Sequence, residues 1–434
     1  MLKKKYKLQI HTIMYYRNNN RVPPEIYVER DNDVINIYSL NRAKAVSDFI
    51  NAIKSGIRAG YDDFLVDVSN IEGVFPNTVV PIAALIDSYK KENIEFEFGR
   101  IPITLHLTKF TNPQLYDGDS SNILNRVWKF SQSSEISNIV DAYGVELRKE
   151  DRFPEGTIAS LQWSLNEVMD NVLIHSNSDF GYVMGQIHKT TKKIAFTVCD
   201  YGRGIFNSLR ESQFHKPRTA IDSITLAIKE EVTRDSSVGQ GNGLFGLHSI
   251  ISQGNGTLEI VSSGASYKTM GGQTSTHKYL PKRSDDNPGT IVDFQINYGN
   301  NISLENALKF RGKDYAITDL YIDNFDDDKG HNYYSVKEHS DGTGTRDSAI
   351  RIKNEIINLI KDSKRPVILD FNGVAVISSS FADELIAKLL LELGLFQFNN
   401  LILLRGMNTQ EQNILQRSVI QRLLDSLNEP TLLK

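Results

Sequence analysis

A segment in the middle of the chain has three polar residues, Glu167, Asn171 and His175, at intervals of four. In a helix this interval puts the three side chains on one face. A carboxylate there can orient or deprotonate an attacking nucleophile, and an asparagine oxygen is a hard ligand of the kind that Mg²⁺ accepts. Beside this face runs an apolar stripe that steps by three and four residues: Ile158, Leu161, Leu165, Val168 and Val172. By itself, this spacing of polar residues indicates an ordinary solvent-facing helix surface more often than a functional site.

A second group follows an apolar strand at residues 194–199, in the run D-Y-G-R-G that contains Asp200, Gly202 and Gly204. An ionised aspartate only accepts hydrogen bonds, which suits the exocyclic amino group of adenine. The two glycines would let the backbone turn and approach a flat base without a clash from Cβ. A plain turn at the end of a strand is the competing interpretation.

Two further segments contain glycines at informative places. In the run G-Q-G-N-G-L-F-G-L, Gly239, Gly241 and Gly243 precede a helical stretch at residues 248–251. Glycines before a helix N-terminus expose backbone amides to an anion, and the helix dipole adds to the attraction. The spacing differs from both the GxxxxGK(S/T) phosphate loop and the dinucleotide fingerprint. Later, Thr290 opens a strand, where its hydroxyl could support adenine through the aspartate or a water.

Taken together, the order and separation of these segments resemble the GHKL ATPase superfamily, to which gyrase and the histidine kinases belong. The resemblance covers residues 151–300 and implies an α/β sandwich, bound ATP and Mg²⁺, and a mobile lid over residues 205–238. Glu167 would be the catalytic base and Asn171 the metal ligand, whereas His175 has no fixed role in the family. The nucleotide would be bound by the residues that match the two glycine boxes and the closing threonine: Asp200, Gly202, Gly204, Gly239, Gly241, Gly243, Leu244 and Thr290.

The branch of the superfamily can be narrowed by two further motifs. The run G-N-G-L-F at residues 241–245 resembles the second glycine box of the anti-sigma-factor serine kinases. The phosphoacceptor motif of the histidine kinases, a histidine followed by Glu, an apolar residue and Arg, does not occur upstream of Glu167. A sensor histidine kinase is therefore not expected.

The C-terminal block, residues 305–434, is similar to STAS and STAS-like domains, some of which are antagonists of those kinases. The resemblance makes Ser379 the candidate phosphoacceptor, within a serine cluster at a predicted helix start. The antagonist pattern Asp-Ser-Ser-Gly is incomplete, because Ser378 stands in place of the aspartate and Phe381 in place of the glycine. A plain helix cap is the competing interpretation of this cluster.

The same order of predicted elements occurs near both ends of the chain. Aligning Asp67 with Asp370 gives an offset of 303 residues that brings an apolar strand, a loop and a helix start into register. We interpret the two blocks as copies of one small α/β unit, although any two strand–helix pairs share some likeness. The predicted helix, strand and helix lie at residues 43–57, 64–68 and 78–89 in the first copy and at residues 346–360, 367–371 and 381–393 in the second.

The predicted fold is of mixed α/β and α+β class, with several domains. A central GHKL α/β sandwich is flanked by two small STAS-like α/β units. The predicted ranges are 1–115 for the N-terminal STAS-like unit, 116–150 for a helical connector, 151–300 for the ATP-binding domain and 305–434 for the C-terminal STAS-like domain. Within the central domain, the polar, glycine-containing stretch at residues 262–287 is predicted to be a loop.

Composition and charge limit the environment of the protein. The net charge of −4 gives no overall attraction to nucleic acid or to a membrane surface. A single cysteine, Cys199, excludes an internal disulfide and favours a reducing compartment. No run of about 18 apolar residues occurs, and Gln9 and His11 interrupt the apolar start that a signal peptide needs. We therefore expect a cytoplasmic protein.

The leading functional hypothesis is an ATPase that acts as a nucleotide-dependent regulatory switch. The lid would order over ATP and Mg²⁺, the docking of the STAS-like domains or of a partner protein would change, and slow hydrolysis would reset the switch. Two alternatives stay open: a serine kinase of the anti-sigma type, and an interaction scaffold that binds nucleotide without turnover. A protein partner is expected, and a homodimer is a further option.

Overall fold

A computed structural model defines residues 26–69, 71–99, 113–119, 123–212, 215–229, 243–299, 309–310, 313–314, 325 and 330–428. The chain divides into two compact units, residues 1–111 and 112–434. The second unit contains a central domain with a large sheet and a C-terminal domain with a small one. Among the helices within the defined ranges, none is both long and apolar enough to cross a membrane.

The first unit is a small α/β domain. Its strands are β1 (Val28–Asp31), β2 (Val34–Ile37), β3 (Ser39–Leu40), β4 (Asp63–Asp67), β5 (Glu72–Val74) and β6 (Glu95–Phe98), and its helices are α1 (Lys44–Arg58) and α2 (Pro76–Lys90). Strands β2, β4 and β6 pair in parallel, and β1 pairs antiparallel with β2. Helix α1 buries Phe49 and Ile53 on the face that contacts β1 and β2, as its 3.6-residue apolar period requires.

The central domain is built on one sheet of eight strands in the order β13-β12-β11-β14-β10-β9-β8-β7. The strands are β7 (Gln114–Leu115), β8 (Trp128–Phe130), β9 (Gly181–His188), β10 (Lys193–Asp200), β11 (Thr257–Ser262), β12 (Ala265–Met270), β13 (Gln273–Lys278) and β14 (Thr290–Asn297). Neighbouring strands are antiparallel, except for the parallel pair β7–β8.

Helices pack on this sheet. They are α3 (Ser133–Glu150), α4 (Thr157–His175), α5 (Gly204–Arg210), α6 (Ala220–Ala227) and α7 (Gly243–Gln253). The apolar core lies between α3, α4, α7 and the strands, where side chains such as Leu165 and Ile250 meet Phe196 and Phe294. The apolar stripe predicted on α4 is confirmed, because all five of its members are buried in this core.

In the described part of residues 116–150, which were predicted as a helical connector, a strand and a helix belong to the central domain instead. Strand β8 pairs with β9 and so extends the sheet. Helix α3 packs on α4 and adds Ile136, Ile139 and Tyr143 to the core, and the Tyr143 hydroxyl accepts a hydrogen bond from the backbone N–H of Gly185 at 3.0 Å. The structure therefore moves the predicted boundary, because the apolar pattern of a helix does not show which sheet the helix covers.

The stretch 262–287 contains the β12–β13 hairpin, so the prediction of a loop was wrong. Gly271 and Gly272 form its two-residue turn with positive φ values of 56° and 76°, the conformation that tight hairpins favour. Strand β13 is exposed along its whole length. Its residues therefore carry no apolar alternation from which a strand could be predicted.

The C-terminal domain follows a short paired segment, β15 (Lys309–Phe310) and β16 (Lys313–Asp314). Its parallel sheet consists of β17 (Asn332–Ser335), β18 (Val367–Asp370) and β19 (Ile402–Arg405). Its helices are α8 (Val336–His339), α9 (Arg346–Ser363), α10 (Ser379–Ala382), α11 (Lys388–Leu393), α12 (Leu395–Leu401) and α13 (Thr409–Asn428). A π-helical turn, Asp383–Ala387, joins α10 to α11 and interrupts the helix predicted over 381–393.

The first unit and the C-terminal domain share one order of elements. In each, a long helix, α1 or α9, lies in sequence between two neighbouring parallel strands, and a later helical segment leads to a third parallel strand. The C-terminal domain has the short helix α8 in addition. The middle strands, β4 and β18, end at Asp67 and Asp370, the two residues that the predicted repeat aligns. The topology therefore agrees with the internal repeat.

Candidate functional site

Three polar side chains meet at one end of the large sheet, where β10, β14 and β11 lie side by side. Asp200, the last residue of β10, is opposite Thr290, the first residue of β14. Thr290 is also opposite Ser262, the last residue of β11. Residues two apart on a strand share a face, and the neighbours on that face belong to the helix-covered core: Val198, Val292 and Ile260. The three polar side chains therefore lie on the helix-covered face of the sheet.

Asp200 is a buried carboxyl group, with 3% of its surface exposed. Its Oδ1 accepts a hydrogen bond from the backbone N–H of Gly202 at 2.8 Å. Burial raises the pKa of Asp200 to about 7, although the hydrogen bond from Gly202 opposes this shift. A ligand that donates a hydrogen bond to the carboxylate would favour its ionised form. The carboxylate is thus suited to accept a hydrogen bond from a donor such as an amino group.

Ser262 was not predicted from the sequence, yet it connects three parts of the site. Its hydroxyl donates to the carbonyl of Gly289 at 3.0 Å and accepts from the backbone N–H of Ile205 at 2.9 Å. It also lies 3.1 Å from the hydroxyl of Thr290. The alternation of Leu258, Ile260 and Ser262 was a signal for the buried face, but only the strand pairing shows that Thr290 is its neighbour.

The two glycines after Asp200 are required by contacts within the protein. The reason predicted from the sequence was a different one, a close approach of the backbone to a bound base. A Cβ on Gly202 would lie 2.0 Å from the carbonyl oxygen of Ser176, at the end of α4. Gly204 has a φ of 72°, and a Cβ there would meet the Ser263 hydroxyl at 2.7 Å. The segment is thus packed closely against α4 and β11, which fixes the position of Asp200.

The start of α7 lies against the polar face of α4. A Cβ on Gly243 would be 2.5 Å from Glu167 Oε2 and 3.4 Å from Asn171 Nδ2. Burial raises the pKa of Glu167, and the nearby Asp170 carboxylate adds to this effect. The structure therefore brings together Glu167, Asn171 and the last glycine of the predicted second glycine box.

The remaining predicted residues have different outcomes. Leu244 is half-buried at the first turn of α7, against the apolar core, whereas Gly239 and Gly241 lie outside the described residues. His175 ends α4, and its backbone carbonyl accepts a hydrogen bond from Arg203 Nε at 2.7 Å.

A metal ion at this site would need ligands other than protein side chains, such as phosphate oxygens and waters. Within the described part of the chain, no group of three or more His, Cys, Asp and Glu side chains could hold a metal ion. Mg²⁺ commonly takes one or two protein oxygens and completes its shell with phosphate oxygens and waters. Asn171 of α4, which lies close to the first residue of α7, could provide one such oxygen.

The described part of the predicted lid, residues 205–212 and 215–229, contains α5 and α6. A reciprocal capping box between Thr219 and Asp222 begins α6. Ile224 anchors this helix in the core. The remaining lid residues lie outside the described part of the chain.

The serine cluster of the C-terminal domain begins α10. Ser378 is the N-cap, because its hydroxyl accepts a hydrogen bond from the backbone N–H of Phe381 at 3.0 Å. It also lies 2.9 Å from the hydroxyl of Ser380. Ser379 occupies the next position and is exposed. The cap interpretation is therefore confirmed for Ser378, and the hydroxyl of Ser379 is not the cap.

Comparison with known families gives one match. The family described as a STAS-like domain of unknown function (DUF4325) matches residues 348–412. This range contains β18, β19 and the serine cluster, so the chain contains a STAS-like domain at this position. A comparison with curated proteins finds no match. The function of the central domain therefore has to be argued from its own residues.

Proposed function

We propose that the central domain is an ATP-binding domain of the GHKL type and works as a nucleotide-dependent switch. The observation that carries the proposal is the meeting of segments that are far apart in sequence. Asp200 and Thr290 are paired at the end of two strands, and Gly243 is in contact distance of Glu167 and Asn171. Helix α4 connects the two groups, because its C-terminal end touches the segment after Asp200 and its middle carries Glu167.

The strand ends would hold the base. A buried aspartate that accepts a hydrogen bond from the amino group of adenine is left facing a carbonyl when guanine is offered, so GTP should bind poorly. The hydroxyls of Ser262 and Thr290 are next to the carboxyl group and could complete its polar surroundings. Adenine would thus be selected by one charged acceptor and two neutral hydroxyls.

The junction of α4 and α7 would hold the phosphates. The first amides of α7 point away from the helix without partners in it, and the helix dipole favours an anion there. Glu167, whose pKa is raised by burial, is a stronger proton acceptor than an exposed glutamate and could orient an attacking water. Mg²⁺ bound to Asn171 and to phosphate oxygens would neutralise the charge that develops on phosphoryl transfer.

The assay that tests the proposal incubates the full-length chain with γ-labelled ATP and Mg²⁺. Released phosphate supports the switch, labelled protein supports a kinase, and neither product together with tight ATP binding supports a non-hydrolysing scaffold. Glu167→Ala should slow turnover by about 10²–10⁴-fold while ATP still binds. The control is Asp347→Ala, which removes an exposed carboxylate on helix α9, outside the site, and should retain turnover. Hydrolysis by Glu167→Ala at the wild-type rate would contradict the catalytic role.

A serine kinase is the second candidate, and the exposure of Ser379 is the observation that favours it. Because Ser378 provides the cap, the Ser379 hydroxyl at the first position of α10 is accessible to modification. A phosphate there would meet the favourable end of the helix dipole. We nevertheless place the switch first, because the antagonist pattern around Ser379 is incomplete.

A further inference from the structure

Helix α9 of the C-terminal domain contacts the central domain through a polar face. Its apolar face, which includes Ile352 and Ile356, packs into the core of its own domain. The other face carries Arg351, Asn354 and Asn358 at spacings of three and four residues. Both asparagines are buried, and a buried amide is stable only where its hydrogen bonds are satisfied.

Asn358 hydrogen-bonds three backbone groups of the central domain. Its Oδ1 accepts from the N–H of Phe153 at 2.9 Å. Its Nδ2 donates to the carbonyls of Arg148 at 3.0 Å and Asp151 at 2.9 Å. The last carbonyls of a helix have no partner within that helix. Helix α3 is therefore capped at its C-terminus by a residue from another domain.

Neighbouring contacts strengthen this junction. One turn before Asn358, Nδ2 of Asn354 donates to the carbonyl of Lys149 at 3.2 Å. Arg351 pairs with two carboxylates on α3, that of Glu146 at 2.9 Å and that of Glu150 at 2.5 Å. Removing Arg351 would leave Glu146 buried without its cation. The contact is thus specific and depends on groups that must be satisfied together.

The same face of α9 also holds the start of α4. Gly156, which precedes α4, has a φ of 72° and offers no side-chain cap. Its backbone N–H donates instead to Oδ1 of Asp362, at 3.2 Å, from the end of α9. A carboxylate near a helix N-terminus is also stabilised by the helix dipole. The C-terminal domain therefore provides the polar contact that α4 does not supply for itself.

The other end of α4 is held within the central domain. Arg203 donates from its backbone N–H to the carbonyl of Ser176 at 2.8 Å and from Nε to the carbonyl of His175 at 2.7 Å. Between the two held ends lie Glu167 and Asn171, the former about 15 Å from the start of the helix. Because a helix is stiff, a displacement of its start moves the side chains that it carries.

We propose that the STAS-like domain positions helix α4 in two ways: Asp362 holds the residue that precedes the helix, and Asn358 holds the segment between α3 and α4. Both are then positioning residues for the chemistry at Glu167. The catalytic part of this inference rests on the proposed function, whereas the effect on α4 does not. A signal received by the STAS-like domain that shifts α9 would alter turnover without touching the nucleotide. The domain is thus a built-in regulator of the central site, not only a separate docking module.

Hydrogen exchange on the full-length chain without nucleotide tests the effect on α4. Asn358→Ala and Asp362→Ala should speed exchange of the amides in residues 157–171 at least fivefold. Asp362→Asn keeps an oxygen that accepts from Gly156 and should restore most of the protection. Asp347→Ala removes an exposed acid from the other end of α9 and should change nothing. Exchange of the amides in strands β9 and β10 should stay unchanged and serves as the internal reference for general destabilisation.

Turnover then separates positioning from general stability. In both alanine variants kcat should fall at least fivefold while KM stays within twofold, and Asp362→Asn should recover kcat. Unchanged exchange in α4, a uniform rise that includes β9 and β10, or an unchanged kcat in a chain that hydrolyses ATP would each overturn the proposal. If Asn358→Ala does not fold, the half-exposed Asp362 decides alone. Faster exchange in α4 with β9 and β10 unchanged, in a chain without ATPase activity, would refute the proposed function and leave the positioning of α4 supported.

Discussion

Replacing Asp200 with asparagine should weaken ATP binding and, at alkaline pH, stabilise the folded protein. The pKa of Asp200 rises from its ordinary value of 3.8 to about 7 because the group is buried. Between about pH 4 and pH 7 the folded protein therefore keeps a proton that the unfolded chain has released. The free energy of unfolding of the wild type therefore falls as pH rises through this window. Asparagine does not ionise, so the Asp200→Asn variant does not lose this stability.

The pH dependence gives a magnitude that does not depend on how well asparagine fits. Each pH unit over which the folded protein holds the extra proton contributes about 1.4 kcal/mol. Because the folded-state pKa of Asp200 is about 7, the folded protein keeps the extra proton over roughly two of the three pH units between pH 5 and pH 8. The stabilisation by Asp200→Asn should therefore be about 2–3 kcal/mol larger at pH 8 than at pH 5. Urea unfolding at both pH values measures this difference.

Asp293 provides the matched control. Burial also raises its pKa to about 7, but it accepts a hydrogen bond from the Thr197 hydroxyl at 2.7 Å and lies three residues after Thr290, on the opposite face of the sheet. Asp293→Asn should show the same pH-dependent stabilisation and retain ATP binding, measured by calorimetry. An equal effect of Asp200→Asn at both pH values would refute the reasoning about its charge. Equal affinity of the wild type for ATP and GTP would refute its role in base recognition.

The remaining predictions concern the phosphate end, the lid and the serine cluster. Asn171→Ala should lose the Mg²⁺ dependence of ATP binding in titrations with and without the metal, whereas Glu167→Ala should keep it. Hydrogen exchange over residues 205–238 should slow when a non-hydrolysable ATP analogue is added, and least in α6, which Ile224 already anchors; unchanged exchange would indicate a preformed lid. Intact-mass analysis after incubation with Mg²⁺ and ATP should show no stoichiometric phosphate on the serine cluster, and Ser379→Ala should retain turnover. One phosphate mapped to Ser379 and lost in Glu167→Ala would make the kinase the better hypothesis.

Much of the secondary structure follows from local pattern, because strand alternation and helix stripes are properties of neighbouring residues. The stripe on α4 was predicted member by member, and it is buried as expected. The polar residues at Glu167 and Asn171 were chosen for their spacing, and the structure brings both to the start of α7. The hairpin of β12 and β13 was missed, because an exposed strand has no apolar face to reveal it.

The amino-acid sequence by itself determined the types of most elements and the groups that could do chemistry, since each depends on residues within a few turns or strands. The tertiary structure alone decided which groups meet. Ser262 belongs to the site because β11 pairs with β14. Asn358 caps helix α3 because helix α9 packs against α3. These contacts join residues that are 28 and 210 positions apart. No local pattern encodes such partners, because the hydrogen bonds of a buried side chain are satisfied by whatever the fold brings beside it.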